Sequence, residues 1–252
     1  MPKLKAITFD LWDTLIRDGS DEPKRKEAGR LSKRDERRDL VHRFLSAHAQ
    51  IERTAVQSAY DTVDAAFNVV WKEQQVTWTV PQRLSILLRG LGRDLPKQEF
   101  AELVRLHEEM ELEFRPDFAP QAAETVRALA QRYRLGVISD AVFMPGRCLR
   151  RLLEDEGIID CFQAFVFSDE AGHSKPHPSV FEAAAAALGA APNEIIHIGD
   201  REHNDVEGAH RFGSRAILCA AVIDRGSETT AADAVVRTFT ELPAVIASLD
   251  RE

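Results

Sequence analysis

The sequence predicts an α/β fold, a Rossmann-like doubly wound parallel sheet with an inserted all-helical domain. Five short apolar runs recur along the chain, and segments of helical periodicity lie between the later ones. The runs are apolar nearly throughout, which is typical of strands buried on both faces of a parallel sheet. Strands that alternate with helices predict a doubly wound sheet rather than an antiparallel one.

The predicted elements of the sheet domain follow in chain order. The strands are Lys5–Phe9, Arg134–Ser139, Gln163–Phe167, Glu194–Ile198 and Arg215–Cys219. The helices between them are Gln121–Arg132, Gly146–Glu154, Pro178–Leu188 and Asp205–Phe212.

The stretch between the first and second strands has a different pattern, with no buried-strand run. It predicts long helices at Glu36–Lys72, Pro81–Leu91 and Lys97–Phe114. We therefore expect a helical domain at 17–115, inserted into a sheet domain made of 1–16 and 116–252. Prolines near residue 116 support a boundary there, since proline marks helix ends.

Composition narrows the possible partners. The formal net charge is −8, which disfavours non-specific binding to nucleic acid. We find no apolar run long enough for a signal peptide or a membrane span. Three widely spaced cysteines are typical of reduced residues, so we expect a cytoplasmic protein. We also expect a monomer or a homodimer that does not contact membranes.

Polar residues follow four of the predicted strands. Asp10 follows the first, Ser139 and Asp140 end the second, Lys175 comes after the third, and the segment 199–205 after the fourth contains three acidic residues. The carboxyl ends of parallel strands form the usual ligand crevice of such sheets. Clustered carboxylates there favour Mg²⁺, and a nearby lysine favours an anionic substrate.

These segments, F-D-L-W-D-T-L, I-S-D, S-K-P and G-D-R-E-H-N-D-V-E-G-A, resemble in order the four motifs of the haloacid-dehalogenase-like (HAD) superfamily. The insertion after the first motif resembles the helical cap domain of that superfamily. The resemblance implies that Asp10 is the nucleophile and that Lys175 offsets negative charge. It also implies that Asp10, Asp200, Asp205 and the backbone carbonyl of Trp12 hold Mg²⁺.

The resemblance further implies a substrate site. Ser139 and Asp140 of the second motif, together with Trp12 and Thr14 of the first, would bind a small phosphorylated metabolite or shape the loop around it. The expected reaction is phosphate-ester hydrolysis through an aspartyl-phosphate at Asp10.

Trp12 departs from the phosphatase pattern. Phosphatases of the superfamily usually have a second aspartate there, which protonates the leaving group and then activates water. An indole N–H can do neither, and loss of a positioned acid/base typically costs about 10²–10⁴-fold in rate. The neighbouring Asp13 is expected to point elsewhere, whereas His203 is a possible replacement base.

Two alternatives therefore stay open. One is a non-catalytic phosphate-binding or regulatory protein. The other is hydrolysis of a carbon–halogen or carbon–phosphorus bond, for which Lys72 is a conceivable Schiff-base lysine. The charged segment 21–39 could be a flap that attracts an anionic substrate, but a solvated helix entry is the preferred interpretation.

Overall fold

A computed structural model describes residues 4–251, and its centre is a six-stranded parallel sheet. The strand order is β3-β2-β1-β4-β5-β6. The strands are β1 (Ala6–Phe9), β2 (Arg134–Ser139), β3 (Phe162–Phe167), β4 (Ile195–Gly199), β5 (Arg215–Cys219) and β6 (Ala234–Val236). The α/β fold and the five predicted strands are confirmed, whereas β6 escaped prediction because three residues are too few to show a pattern.

The chain path places a crevice beside β1. From β1 the sheet extends to one side through β2 and β3 and to the other through β4, β5 and β6. The order of strands therefore reverses at β1, and the loops after β1, β2 and β4 diverge at their carboxyl ends. Ligands bind at such a switch point in open α/β sheets.

Six helices lie between β1 and residue 115, and no strand of the sheet comes from this region. They are α1 (Asp21–Glu27), α2 (Lys33–Ser46), α3 (Arg53–Gln74), α4 (Val80–Gly90), α5 (Lys97–Glu108) and α6 (Met110–Glu113). Their apolar faces form a cluster of their own, which includes Val41, Tyr60, Leu87 and Leu103. Within residues 4–251, every helix is too short or too polar to cross a lipid bilayer.

Two of the predicted helices in this region were too long. The expected helix at 36–72 is interrupted at 47–52, and the one at 97–114 is interrupted at Glu109. The interruption at 47–52 lets Leu45 of α2 and Val56 of α3 bury their side chains in one cluster. That segment has no glycine or proline, so the sequence carried no local signal for the break.

The preferred interpretation of segment 21–39 as solvated holds for exposed residues such as Lys26, Arg30 and Arg34, but it is wrong for five other charged residues. Asp21 and Arg25 of α1 are fully buried, as are most of Lys33, Glu36 and Arg37 of α2. The Lys33 ammonium lies 2.8 Å from Asp21 and 2.7 Å from Glu111, and Arg25 pairs with Glu36. Ion pairs within the helical region, which a linear sequence does not reveal, allow these charges to be buried, with the exception of Arg37, which has no ion pair in the described chain.

The two chain segments that connect the helical region to the sheet run side by side. The amide of Arg17 donates to the Asp117 carbonyl at 2.8 Å, and the amide of Ala119 donates to the Leu15 carbonyl at 2.8 Å. This antiparallel contact agrees with the expected boundaries near residues 16 and 116. The division into domains 1–16 with 116–252 and 17–115 stays a prediction.

The remaining helices cover the two faces of the sheet. They are α7 (Ala122–Ala130), α8 (Gly146–Asp155), α9 (Ser168–Ala171), α10 (Pro178–Leu188), α11 (Glu207–Phe212) and α12 (Leu242–Leu249). Val126, Leu149 and Ile246 pack with β1 residues in one cluster, and Phe181 and Ala209 pack in another with β2 and β5 residues. The sheet is thereby buried on both sides, as its apolar strands require.

Candidate active site

Lys175 is the centre of a buried polar cluster at the carboxyl ends of the strands. Its ammonium lies 2.6 Å from Asp10 Oδ1 and 2.7 Å from Asp205 Oδ1, and the residue is only 4% exposed. Burial lowers the pKa of Lys175, but the carboxylates of Asp10, Asp205 and Asp140 outweigh this and hold the pKa above its ordinary value. The ammonium is therefore charged at neutral pH.

Three carboxylates meet beside that ammonium. Asp10, Asp200 and Asp205 each offer an oxygen within 4.8 Å of the others, and all three are buried. Burial, followed by the charges of Asp10 and Asp205, raises the pKa of Asp200 to about 7. Asp10 and Asp205 share a single ammonium, and oxygen ligands at such spacing suit Mg²⁺. The donor set therefore fits the expected metal.

A short π-helix at Glu202–Val206 delivers Asp205 to the cluster. Its Oδ2 accepts the backbone N–H of Arg201 at 2.9 Å, so the side chain folds back over Gly199. A Cβ at Gly199 would lie 2.2 Å from Asp205 Cγ, so the end of β4 requires glycine for close approach.

A hydrogen-bonded row behind Asp205 fixes its orientation. Thr8 Oγ1 lies 2.9 Å from His197 Nδ1, and His197 Nε2 lies 3.1 Å from Asp205 Oδ1. Burial lowers the pKa of His197, so its ring is neutral. Because a carboxylate only accepts, Nε2 donates to Asp205 and Nδ1 accepts from Thr8.

Arg225 joins two acids of the first and fourth loops. Its guanidinium lies 2.5 Å from Asp200 Oδ2 and 2.6 Å from Asp13 Oδ2. Asp13 has a positive φ of 55° and also accepts the backbone N–H of Asp18. Its side chain thus engages Arg225 and the backbone of its own loop, in agreement with the expectation that it points elsewhere.

The cluster opens into a cavity of about 340 Å³ between the sheet and the helical region. Its lining residues are Asp10, Trp12, Asp18, Lys33, Arg37, Trp71, Glu111, Asp140, Val142, Phe143, Met144, Lys175, Arg201, Asn204 and Asp205. Both the predicted nucleophile and charged residues of the helical insertion therefore line one cavity.

The predicted substrate residues fall into two groups. Trp12 and Asp140 line the cavity, and Trp12 is half-buried. Asp140 also accepts the backbone N–H of Lys175 at 3.0 Å, which fixes the loop that carries the lysine. Within residues 4–251, Thr14 and Ser139 are not among the lining residues. Thr14 donates to Asp10 Oδ2 at 3.5 Å, whereas the buried Ser139 hydroxyl has no partner in that range.

Comparison with known proteins places the chain in a family. Residues 4–213 match the model of the haloacid dehalogenase-like hydrolases. The chain belongs to this family. It is a HAD-like hydrolase, and the resemblance inferred from the four motifs is confirmed.

Several HAD-like relatives are similar to this chain over nearly its whole length. A protein named glyceraldehyde 3-phosphate phosphatase from Pyrococcus furiosus is 29% identical, with 100% of this chain and 95% of that protein covered. Two solved structures share the fold. A 2-haloacid dehalogenase from Pseudomonas syringae pv. Tomato has a TM-score of 0.70 at 21% identity and covers 98% of this chain and 99% of its own. A HAD phosphatase from Thermococcus onnurineus has a TM-score of 0.62 at 22% identity, covering 96% and 98%.

Two other candidates lie apart from the HAD-like cluster. His203 is exposed and lies 3.1 Å from Glu207, and Lys72 is exposed on α3. Within the described range, neither lines the cavity that Asp10 faces. Both line an adjoining cavity of about 250 Å³, which Lys175 also lines. The roles of His203 as the replacement base and of Lys72 as a Schiff-base lysine therefore stay predictions.

Three participants were not singled out from the sequence. Arg37 is one charge among many in segment 21–39, Arg225 lies in a loop far from the motifs, and His197 lies two residues before the fourth motif. A signal existed for His197 alone, since a histidine within the apolar run of β4 has to be buried and satisfied.

Proposed function

We propose that the chain is a Mg²⁺-dependent phosphohydrolase of a small phosphorylated metabolite. The observation that carries this proposal is the convergence of Asp10, Asp200 and Asp205 around Lys175, in a cavity large enough for a small ester. The full-length similarity to a protein named as a phosphatase agrees with it. The low-identity dehalogenase neighbour carries information about the fold alone.

Asp10 would act as the nucleophile. Its Oδ1 is held by Lys175, and its Oδ2 has only the long contact to Thr14, so Oδ2 is the freer oxygen for attack on phosphorus. As the new bond to Oδ2 forms, the bond from phosphorus to the ester oxygen breaks, and that oxygen leaves with the bonding pair. Water then attacks phosphorus, which releases phosphate and restores the Asp10 carboxylate.

The other residues of the cluster would balance charge during these steps. Lys175 offsets negative charge on Asp10 and on the transferring group. Asp10, Asp200, Asp205 and the Trp12 carbonyl would hold Mg²⁺, which supplies further positive charge when bound. Asp140 holds the Lys175 loop through its backbone hydrogen bond.

Trp12 sets the expected rate and the preferred leaving group. No proton donor stands at position 12, so the leaving oxygen receives no proton from the position that supplies it in other phosphatases of the superfamily. An acyl phosphate or phosphoanhydride needs no acid in the first step, so such substrates should be favoured over alkyl esters. A phosphate-binding protein without turnover is the second candidate, and Trp12 is the observation that favours it.

A metal-dependent phosphate-release assay tests the proposal. We expect phosphate release from a panel of acyl phosphates and small esters with MgCl₂, and its loss with EDTA or in Asp10→Asn. Asp94→Asn, an exposed acid in the helical region, is the matched control and should leave activity unchanged.

Three outcomes contradict the proposal in different ways. Full activity in Asp10→Asn would remove the nucleophile assignment. Binding of phosphate esters without turnover would favour the second candidate. Metal-independent halide release from a 2-haloacid would place the chemistry with the dehalogenases.

A further inference from the structure

Arg37 of α2 is a buried cation without an acceptor. The residue is 6% exposed and lines the cavity that contains Asp10 and Lys175. Its Nε and Nη2 are buried without a hydrogen-bond partner, and within residues 4–251 no carboxylate lies within 4.0 Å of the guanidinium. Charges buried in this way are rare, because burial without a partner is costly.

The charged residues near Arg37 form ion pairs with other residues. The ring of Phe143 lies 3.7 Å from the Arg37 guanidinium and 4.0 Å from that of Arg83, so one ring separates two cations. Arg83 is paired with Asp64 at 2.6 Å. Glu111, another lining residue, is paired with Lys33 at 2.7 Å. The acids whose charge acts on Arg37, Glu111 and Asp64, are thus each paired with another cation.

The free nitrogens of Arg37 suit a planar anion. Nε and Nη2 form one edge of the guanidinium, and two parallel N–H groups on one edge match the two oxygens of a carboxylate. Trp71, in the wall of the same cavity, adds a second donor, since its buried Nε1 also lacks a partner in the described chain. Both donors come from the helical region, whereas Asp10 and Lys175 come from the sheet.

We infer that Arg37 binds a carboxylate of the substrate, so that the substrate class is small phosphorylated carboxylic acids. This inference rests on the proposed function, which places the phosphoryl group at Asp10. The phosphoryl group would face Lys175 on the sheet side, and the carboxylate would face Arg37 on the helical side. A cavity of about 340 Å³ shared by both groups leaves room for a short carbon chain.

A matched pair of esters tests the inference. 3-Phosphoglycerate and glycerol 3-phosphate have the same carbon chain, but only the first carries a carboxylate. We expect a higher kcat/KM for 3-phosphoglycerate than for glycerol 3-phosphate. Arg37→Met should lower the kcat/KM for 3-phosphoglycerate about 10- to 100-fold, which is the loss expected for hydrogen bonds to a charged group. Arg34→Met, an exposed arginine on the same helix, should leave both values unchanged.

A binding measurement separates this inference from the proposed function. Calorimetry with MgCl₂ compares 3-phosphonopropionate with propylphosphonate, which are not hydrolysed. Tighter binding of the first, lost in Arg37→Met and partly kept in Arg37→Lys, would support the inference even if no ester is turned over. Equal affinities in the unaltered protein would overturn it.

Two further results would also overturn it. Tighter binding of propane-1,3-bisphosphonate than of 3-phosphonopropionate would assign Arg37 to a second phosphoryl group. A fall in melting temperature of Arg37→Met with the carboxylate preference intact would give Arg37 a structural role. We expect Arg37→Met to lose the carboxylate preference, with a fall in stability no larger than the cation–π contact with Phe143 contributes, about 1 kcal/mol.

Discussion

On the sheet side of the cavity Lys175 is shared by Asp10 and Asp205, whereas on the helical side Arg37 has no acceptor within residues 4–251. We call these the sheet wall (Asp10, Asp140, Lys175 and Asp205) and the helical wall (Lys33, Arg37, Trp71 and Glu111). The sheet wall has more carboxylates than cations, so it is suited to binding a cation. The helical wall has one unpaired cation, so it is suited to binding an anion.

This contrast indicates where the parts of a substrate would be recognised. The sheet wall is built from hydrogen-bonded strand ends, so its groups are fixed before any ligand arrives. The helical wall comes from an insertion with its own hydrophobic cluster. Chemistry would therefore belong to the first wall, and choice of substrate to the second.

Removing the lysine of the sheet wall should have the largest effect. In Lys175→Met, Asp10 and Asp205 face each other without their ammonium, and we expect kcat to fall about 10³-fold. Because two buried carboxylates lose their partner, the free energy of unfolding should also fall by about 3–5 kcal/mol. Lys97→Met, at an exposed lysine on α5 away from the cavity, is the control for both measurements. Unchanged turnover in Lys175→Met would show that the reaction does not depend on the sheet wall.

Acid should weaken the helical region through His107. Burial lowers the pKa of His107 to about 3, against an ordinary 6.5 in the unfolded chain. The unfolded state therefore binds the proton first, and stability that is complete above pH 6.5 is lost as the pH falls toward 3. The expected slope is about 1.4 kcal/mol for each pH unit.

Urea midpoints measured between pH 7 and pH 5 check this slope. His107→Gln should flatten the pH dependence, and His48→Gln, at an exposed histidine paired with Glu99, should leave it unchanged. A slope that persists in His107→Gln would mean that another group of the molecule takes up the proton.

A carboxylate at position 12, beside the sheet wall, should increase the rate of phosphate release. Trp12→Asp is expected to raise phosphate release from an alkyl ester at least about 10-fold, at the lower end of what acid/base catalysis contributes. Trp12→Asn is the control, because it removes the indole without adding an acid. An equal gain in both variants would point to the removal of steric bulk instead.

The smallest effect concerns Phe143, which separates Arg37 from Arg83. Phe143→Leu removes two cation–π contacts, each worth about 1 kcal/mol when partly buried. We expect the free energy of unfolding to fall by about 1–2 kcal/mol, measured by urea denaturation. No change would mean that the ring is not what allows the Arg37 guanidinium to be buried.

The strands and most of the sheet wall could be predicted from the sequence alone. Asp10, Lys175, Asp200 and Asp205 follow buried strands within recognisable motifs, and a parallel sheet brings the carboxyl ends of its strands together. The residues that depend on packing over long separations could not be predicted. Asp13 and Arg225 are 212 positions apart, and no local pattern relates them.

The α/β fold, the helical insertion, the HAD-like family and the order of its motifs could all be predicted from the sequence, because strand burial and the residues at strand ends are local properties. That Arg37 is buried and unpaired depends on tertiary packing. Its helix is charged on several faces, so which arginine turns inward depends on α3, α4 and Phe143. Pairing between distant segments decides which charges keep a partner, and a linear pattern does not carry that information.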